Sequence, residues 1–121
     1  MSNDSILRKK SFDFAVRIIK LYKFLKKSHS SYELSQQLVR CGTAIGALVR
    51  EAEHAESRKD FIHKLSIGLK EANECVYWLE LLFATQYITK KMFDSIIKDG
   101  SEVLKMLISS VKTLKGRASQ L

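Results

Sequence analysis

Apolar residues recur along this chain at helical spacing, with almost nothing to interrupt them. From Phe14 they fall at Ala15, Ile18, Ile19, Leu21, Tyr22 and Leu25, one broad side at 100° per residue. That pattern predicts a first helix over about 11–27, with Ser11 as its cap. The polar linker Ser28 to Ser31 follows. A second helix over about 31–55 carries the seam Leu34, Leu38, Cys41, Ile45, Leu48, Val49 and Ala52. His54 to Ser57 reads as a tight turn, and Ser57 followed by Asp60 has the spacing of a capping motif for a third helix over about 58–86. Its core seam is Phe61, Leu65, Leu69, Ala72, Val76, Leu79 and Phe83. Gln86 to Lys90 connects to a fourth helix over about 90–115, with Thr89 as its cap. Phe93, Ile96, Ile97, Val103, Leu104, Leu107, Ile108, Val111 and Leu114 fill the apolar arc of that last helix. Residues 1–9 and 116–121 lack periodicity and are expected to be flexible. Four helices with short connections predict one all-α domain, an antiparallel up-down-up-down four-helix bundle.

Two stretches depart from a plain core pattern. Gly42, Thr43, Ala44, Gly46 and Ala47 crowd small side chains onto helix two, at about 1 kcal/mol of helix propensity per glycine. Gly42, Gly46 and Ala47 are therefore expected where another backbone comes close. Gly100 in helix four has a similar reading, as a bend or a seat for a neighbour. On helix three a second strip of Ile67, Trp78, Leu81 and Leu82, rimmed by Glu71 and Glu74, would stay partly wet in a monomer. Such a strip predicts a contact between identical subunits.

Composition supports the helical reading, since the 121 residues include no Pro and five Gly, with 45% apolar residues. Cys41 and Cys75 both lie on apolar helical faces, which suits reduced core positions in a cytoplasmic protein. No segment resembles an export signal or a membrane span.

Charge changes the picture more. The formal net charge is +8, which makes polyanions the first partners to consider. Residues 1–30 hold eight basic and two acidic side chains, and residues 91–121 six and three, so the excess belongs to the outer helices. Arg17, Lys20, Lys23 and Lys27 share one side of helix one. Lys98, Lys105 and Lys112 recur every seven residues on helix four, after Lys91, along one slowly drifting line. If the first and fourth helices are neighbours, these faces could merge into a stripe that tracks phosphates. Arg40 and Arg50 flank the small-residue face of helix two as secondary candidates.

Catalytic chemistry finds little to stand on. Glu51 with His54 and Asp60 with His63 give carboxylate-x-x-His pairs, which di-iron bundles use together with inward glutamates from the other helices. Helix one has no glutamate, Glu102 lies on the lysine side of helix four, and both pairs crowd one turn. His29 sits in the polar linker, neither cysteine has a histidine within helical reach on the same face, and phosphate-cradling glycine loops are absent. An enzyme is not expected, nor a cofactor or metal.

The stretch QLVRCGTAIGALVREAEHAESRKDFIHKLSIGLKEANECVYWLELL, Gln37 to Leu82, resembles the signature of bacterial four-helix-bundle proteins encoded in intervening sequences of 23S ribosomal RNA genes. The accessory variability proteins of diversity-generating retroelements are related to that family. The elements that carry the resemblance are Gln37, Leu38, Arg40, the run Gly42 to Ala47, Glu51, Ala52, Ser57, Asp60, Phe61, Lys64, Leu65, Lys70 to Ala72 and Glu74 to Leu79. Leu48 departs from the family, which often has asparagine there. The resemblance implies an antiparallel bundle that assembles into a ring, a homopentamer, without catalytic activity and with a role in binding RNA or in nucleic-acid complexes. The alternative is a protein-interaction scaffold for a nucleic-acid enzyme, with the lysines serving solubility.

Overall fold

The computed structural model describes the backbone of residues 3–28 and 32–120, and the side chains of residues 6–28 and 33–117. Four helices follow in order: α1 (Asn3–Ser28), α2 (Tyr32–Glu53), α3 (Arg58–Ala84) and α4 (Lys90–Gln120). No strand occurs among the described residues. Each helix packs against the next, and α4 closes the ring against α1, the loosest of the four seams. With connections this short the arrangement is an antiparallel four-helix bundle.

The bundle holds one core. Leu7, Phe14, Ile18, Leu21 and Leu25 of α1 meet Leu38, Cys41, Ile45 and Val49 of α2. Leu65, Ala72, Cys75, Leu79 and Leu82 enter from α3, and Ile96, Val103, Leu107 and Val111 from α4. Ile88, in the α3–α4 connection, is buried as well. Side chains of about this size stabilise by roughly 1.5–3 kcal/mol each when fully removed from water, which outweighs the glycine cost on α2.

Helix α1 begins well before Ser11. Leu7 explains the difference, because it continues the apolar seam one turn upstream and lies against Val49, Ala52, Phe61 and Leu65 near the α2–α3 turn. Ser11 is thus an interior residue, fully buried, whose hydroxyl donates to the Arg8 carbonyl at 3.1 Å. Lys9 and Asp13, one turn apart at 2.8 Å, support the same turn. Helix α4 likewise runs past residue 115 to Gln120. Ser31 and His29 lie outside the described residues.

Caps set the other ends. The Ser57 hydroxyl accepts from the Asp60 amide at 3.0 Å, and the Asp60 carboxylate accepts from the Glu56 amide at 3.1 Å, closing a reciprocal motif at the start of α3. Helix α3 stops at Ala84 rather than 86. Thr85 donates its hydroxyl to the Leu81 carbonyl, and Gln86 turns into the left-handed region with φ 68°. Thr89 caps α4, accepting from the Met92 amide at 3.2 Å.

Small residues decide how near the helices come. A methyl group on Gly42 would stand 2.7 Å from Ile18 Cγ2, so α1 and α2 touch through that position. A methyl group on Gly46 would meet the Ser11 carbonyl oxygen at an ordinary 3.6 Å. Ala47, in contrast, is exposed and takes no part in close packing, because by helical phase it lies beyond the α1-facing side of α2. Gly100 admits the Phe14 ring, with 3.0 Å left for a methyl group, and Gly68 sits in looser contact with Leu48 and Leu107. Cys41 and Cys75 are both buried, with free thiols. The Cys75 thiol is pushed far above its ordinary value by its hydrogen bond with Cys41 and by burial.

Candidate nucleic-acid interface

The seam where α1 meets α4 is the place the charge pattern points to, and it divides into two halves. In one half acidic side chains of α4 capture the cations of α1. Arg17 donates to Asp99 Oδ2 at 2.6 Å, to the Ser95 carbonyl at 3.0 Å and to Ser95 Oγ at 2.8 Å. Lys10 reaches Glu102 at 2.6 Å, and its pKa is raised chiefly by that hydrogen bond, against a smaller opposing effect of desolvation. Arg17 is therefore a clasp between helices rather than a free phosphate contact. Its planar guanidinium satisfies a carboxylate, a carbonyl and a hydroxyl at once, a geometry lysine does not reproduce.

In the other half, toward the end of α1 and the start of α4, the lysines face water. Lys20, Lys23 and Lys27 are exposed there on α1, as is Lys91 on α4; Lys98, Lys105 and Lys112 are exposed further along α4, beside and beyond Asp99 and Glu102, and no ion pair engages any of these lysines among the described residues. By helical phase the α4 lysines stand on the solvent side of the row Ser95, Asp99 and Glu102 that meets α1. The two basic faces are thus brought to the same side of the bundle, but a strip of acid divides them at Asp99 and Glu102.

Helix α2 uses its arginines differently. Arg40 reaches Glu71 at 3.2 Å and Glu74 at 2.7 Å on α3, and its pKa rises chiefly through the Glu74 hydrogen bond. Arg50 lies over the Phe12 ring, 5.5 Å from its centroid, and is exposed. Arg40 joins α2 to α3, and Arg50 covers α1.

The strip on α3 is only partly a surface. Leu82 is fully buried in the bundle's own core, so it is not available to a second subunit. Its position, three residues from Leu79 and seven from Cys75, puts it on the core side, a phase the cluster of leucines around it conceals in the sequence. Trp78 is half-buried against the core and donates to Glu74 at 3.2 Å, so Arg40, Glu74 and Trp78 form one chain of contacts. Ile67 and Leu81 are half-buried. Tyr77, edge-on to Trp78 at 5.2 Å, is the exposed aromatic of the strip at 55%.

Larger apolar exposure lies on α1. Phe12, Val16 and Ile19, spaced four and three residues apart, are 53%, 37% and 39% exposed and run in line along one face. Helical spacing places Ile19 on the core side as well, but only its neighbour Ile18 reaches the interior. Phe24 is exposed on the α4 side of the same helix.

Metal ligation finds no assembled site among the described residues, where no three His, Cys, Asp or Glu side chains converge. Glu51 instead pairs with Lys64 at 3.5 Å, and Asp60 is spent on the α3 cap. Among the described residues no helix is long and apolar enough to cross a membrane.

The 23S rRNA-intervening sequence protein family model matches residues 3–109, nearly the whole bundle. The chain belongs to that family. A crystal structure of a protein of unknown function from the S23 ribosomal protein family of Bacteroides thetaiotaomicron shares 53% of its sequence with it. The likeness covers 92% of this chain and 99% of that one, with a TM-score of 0.89. Curated proteins include no match. For this member of the 23S rRNA-intervening sequence family, the match takes in α1, α2 and α3 and most of α4.

Proposed function

We propose that this protein is a non-catalytic, cytoplasmic, self-assembling bundle that binds RNA through the lysines of α1 and α4. The observation that carries the reading is the exposure of Lys20, Lys23 and Lys27 at one end of the α1–α4 side and of Lys98, Lys105 and Lys112 further along it, in a chain of net charge +8. Cations held in water cost nothing to desolvate until an anion arrives, and each phosphate they neutralise releases counterions. With six such lysines engaged, affinity for RNA falls by about 10³-fold or more between about 50 and 200 mM salt. Charge reversal of Lys98, Lys105 and Lys112 abolishes binding under this reading. An affinity indifferent to salt refutes it.

Assembly into a ring, a homopentamer, is part of the same proposal. The apolar line of Phe12, Val16 and Ile19 supports self-association more strongly than the α3 strip, since Leu82 and much of Trp78 are withdrawn into the subunit. Light scattering of Phe12→Ser with Ile19→Ser, beside Tyr77→Ser, assigns the surface: a drop in mass in the first protein places the contact on α1, and in the second on α3.

The α1 stripe also favours a second reading, in which the bundle is a scaffold that presents this face to another protein. The lysine reversals then leave partner capture intact, whereas Phe12→Ser with Ile19→Ser abolishes it.

A further inference from the structure

The unclasped half of the α1–α4 seam opens into a groove of about 500 Å³. Its floor is apolar, made by Leu21, Phe24, Met92 and Ile96, and Lys20 and Lys91 stand at its rim. Arg17 closes one end, its charge already balanced by Asp99. The volume lies within the range of sites that take small molecules. Phe24, 42% exposed, is the aromatic residue of this floor.

Phosphate attraction alone explains the lysines but not an apolar floor with an aromatic ring between them. A duplex exposes phosphates, sugars and base edges, but the flat faces of its bases are stacked on each other. An unpaired strand offers what this groove matches: a flat apolar base for Phe24 and Met92, with phosphates on either side for Lys20 and Lys91. Resting on the RNA-binding reading above, we infer that the α1–α4 groove is a seat for an unpaired nucleotide, and that the protein prefers single-stranded RNA to duplex RNA. The Arg17–Asp99 clasp positions the groove by fixing the distance between the two helices, and Arg17 is a positioning residue rather than a phosphate ligand.

Fluorescence anisotropy of a labelled uridine dodecamer and of a labelled twelve-base-pair RNA duplex, each at about 50 and 200 mM salt, tests the inference. Phe24→Ala weakens binding of the single strand by about 5- to 150-fold and leaves duplex binding unchanged. Phe24→Tyr, which keeps the ring, restores the single-strand affinity. Lys20→Glu with Lys91→Glu weakens both RNAs. Because Phe24 is well exposed, its replacement leaves the helical circular dichroism spectrum intact, and that spectrum is recorded for every variant. Equal affinity for strand and duplex, with Phe24→Ala silent and the lysine reversals effective, overturns the groove while RNA binding stands. Failure of the unmodified protein to bind either RNA overturns both.

Discussion

Replacing Gly42 with alanine tests whether the contact of α1 with α2 is as tight as the structure makes it. The added methyl would lie 2.7 and 2.9 Å from Ile18 Cγ2 and Cγ1 and 3.1 Å from its Cβ. Ile18 is fully buried and branched at the atoms that clash, so no flexible end can swing aside. Overpacking of this kind costs about 1–3 kcal/mol, and the position lies in the upper half of that range. Alanine returns about 1 kcal/mol through its better helix propensity. The net expectation is a loss of about 1–2 kcal/mol. Urea unfolding followed by circular dichroism reads it, at one fixed protein concentration because assembly would couple to stability. A double-mutant cycle isolates the cause. Ile18→Ala alone costs about 2–5 kcal/mol, but in combination with Gly42→Ala the two losses should sum to less, by about 2–3 kcal/mol, because the overpacking vanishes with the clashing branches while the helix-propensity gain remains. A Gly42→Ala protein as stable as the parent, or two losses that simply add, refutes the close approach.

Other positions give outcomes of different sign. Gly68→Ala should stabilise by about 0.5–1 kcal/mol in the same assay, because its methyl would meet Leu107 and Leu48 at an ordinary 3.8 Å. Gln86→Gly should stabilise modestly, by up to about 1 kcal/mol, since φ 68° suits glycine better than a residue with a side chain. Arg17→Ala should cost about 1 kcal/mol, a figure reduced from buried charged pairs because both partners are more than a third exposed, and Arg17→Lys should recover only part of it. The Cys75 thiol keeps its proton in the folded state at pH values where the unfolded chain, with an ordinary value near 9, has lost it. Its contribution to stability is therefore full below about pH 8 and falls as pH rises past about 9, and Cys75→Ala should flatten that fall in unfolding curves taken from about pH 8 to about pH 10.

Much of the fold was legible because apolar spacing repeats faithfully along each helix. The Ser57 and Thr89 caps and the turn at 54–57 followed from local chemistry alone. The start of α1 did not, since Leu7 is a single apolar residue among charges and only the α2–α3 tip covering it makes it core. Leu82 and Ala47 were misplaced for a related reason. In a run such as Trp78 to Phe83 apolar residues occupy every side, so periodicity no longer says which one faces inward. Val16 and Phe24 read as exposed apolar residues on the basic side of helix one, whereas Tyr77, Phe12 and Ile19 did not, although the four- and three-residue spacing of Phe12, Val16 and Ile19 is present in the sequence.

The basic site divides the same way. Sequence sets the sum of charges and the helix each belongs to, because both follow from composition and local periodicity. Which cations remain available to a ligand depends on what lies across the seam. Arg17 and Arg40 looked like Lys20 and Lys98 until packing put Asp99 beside one and Glu71 with Glu74 beside the other. An ion pair between residues 82 positions apart is made by the bundle closing, and only the closed bundle decides it.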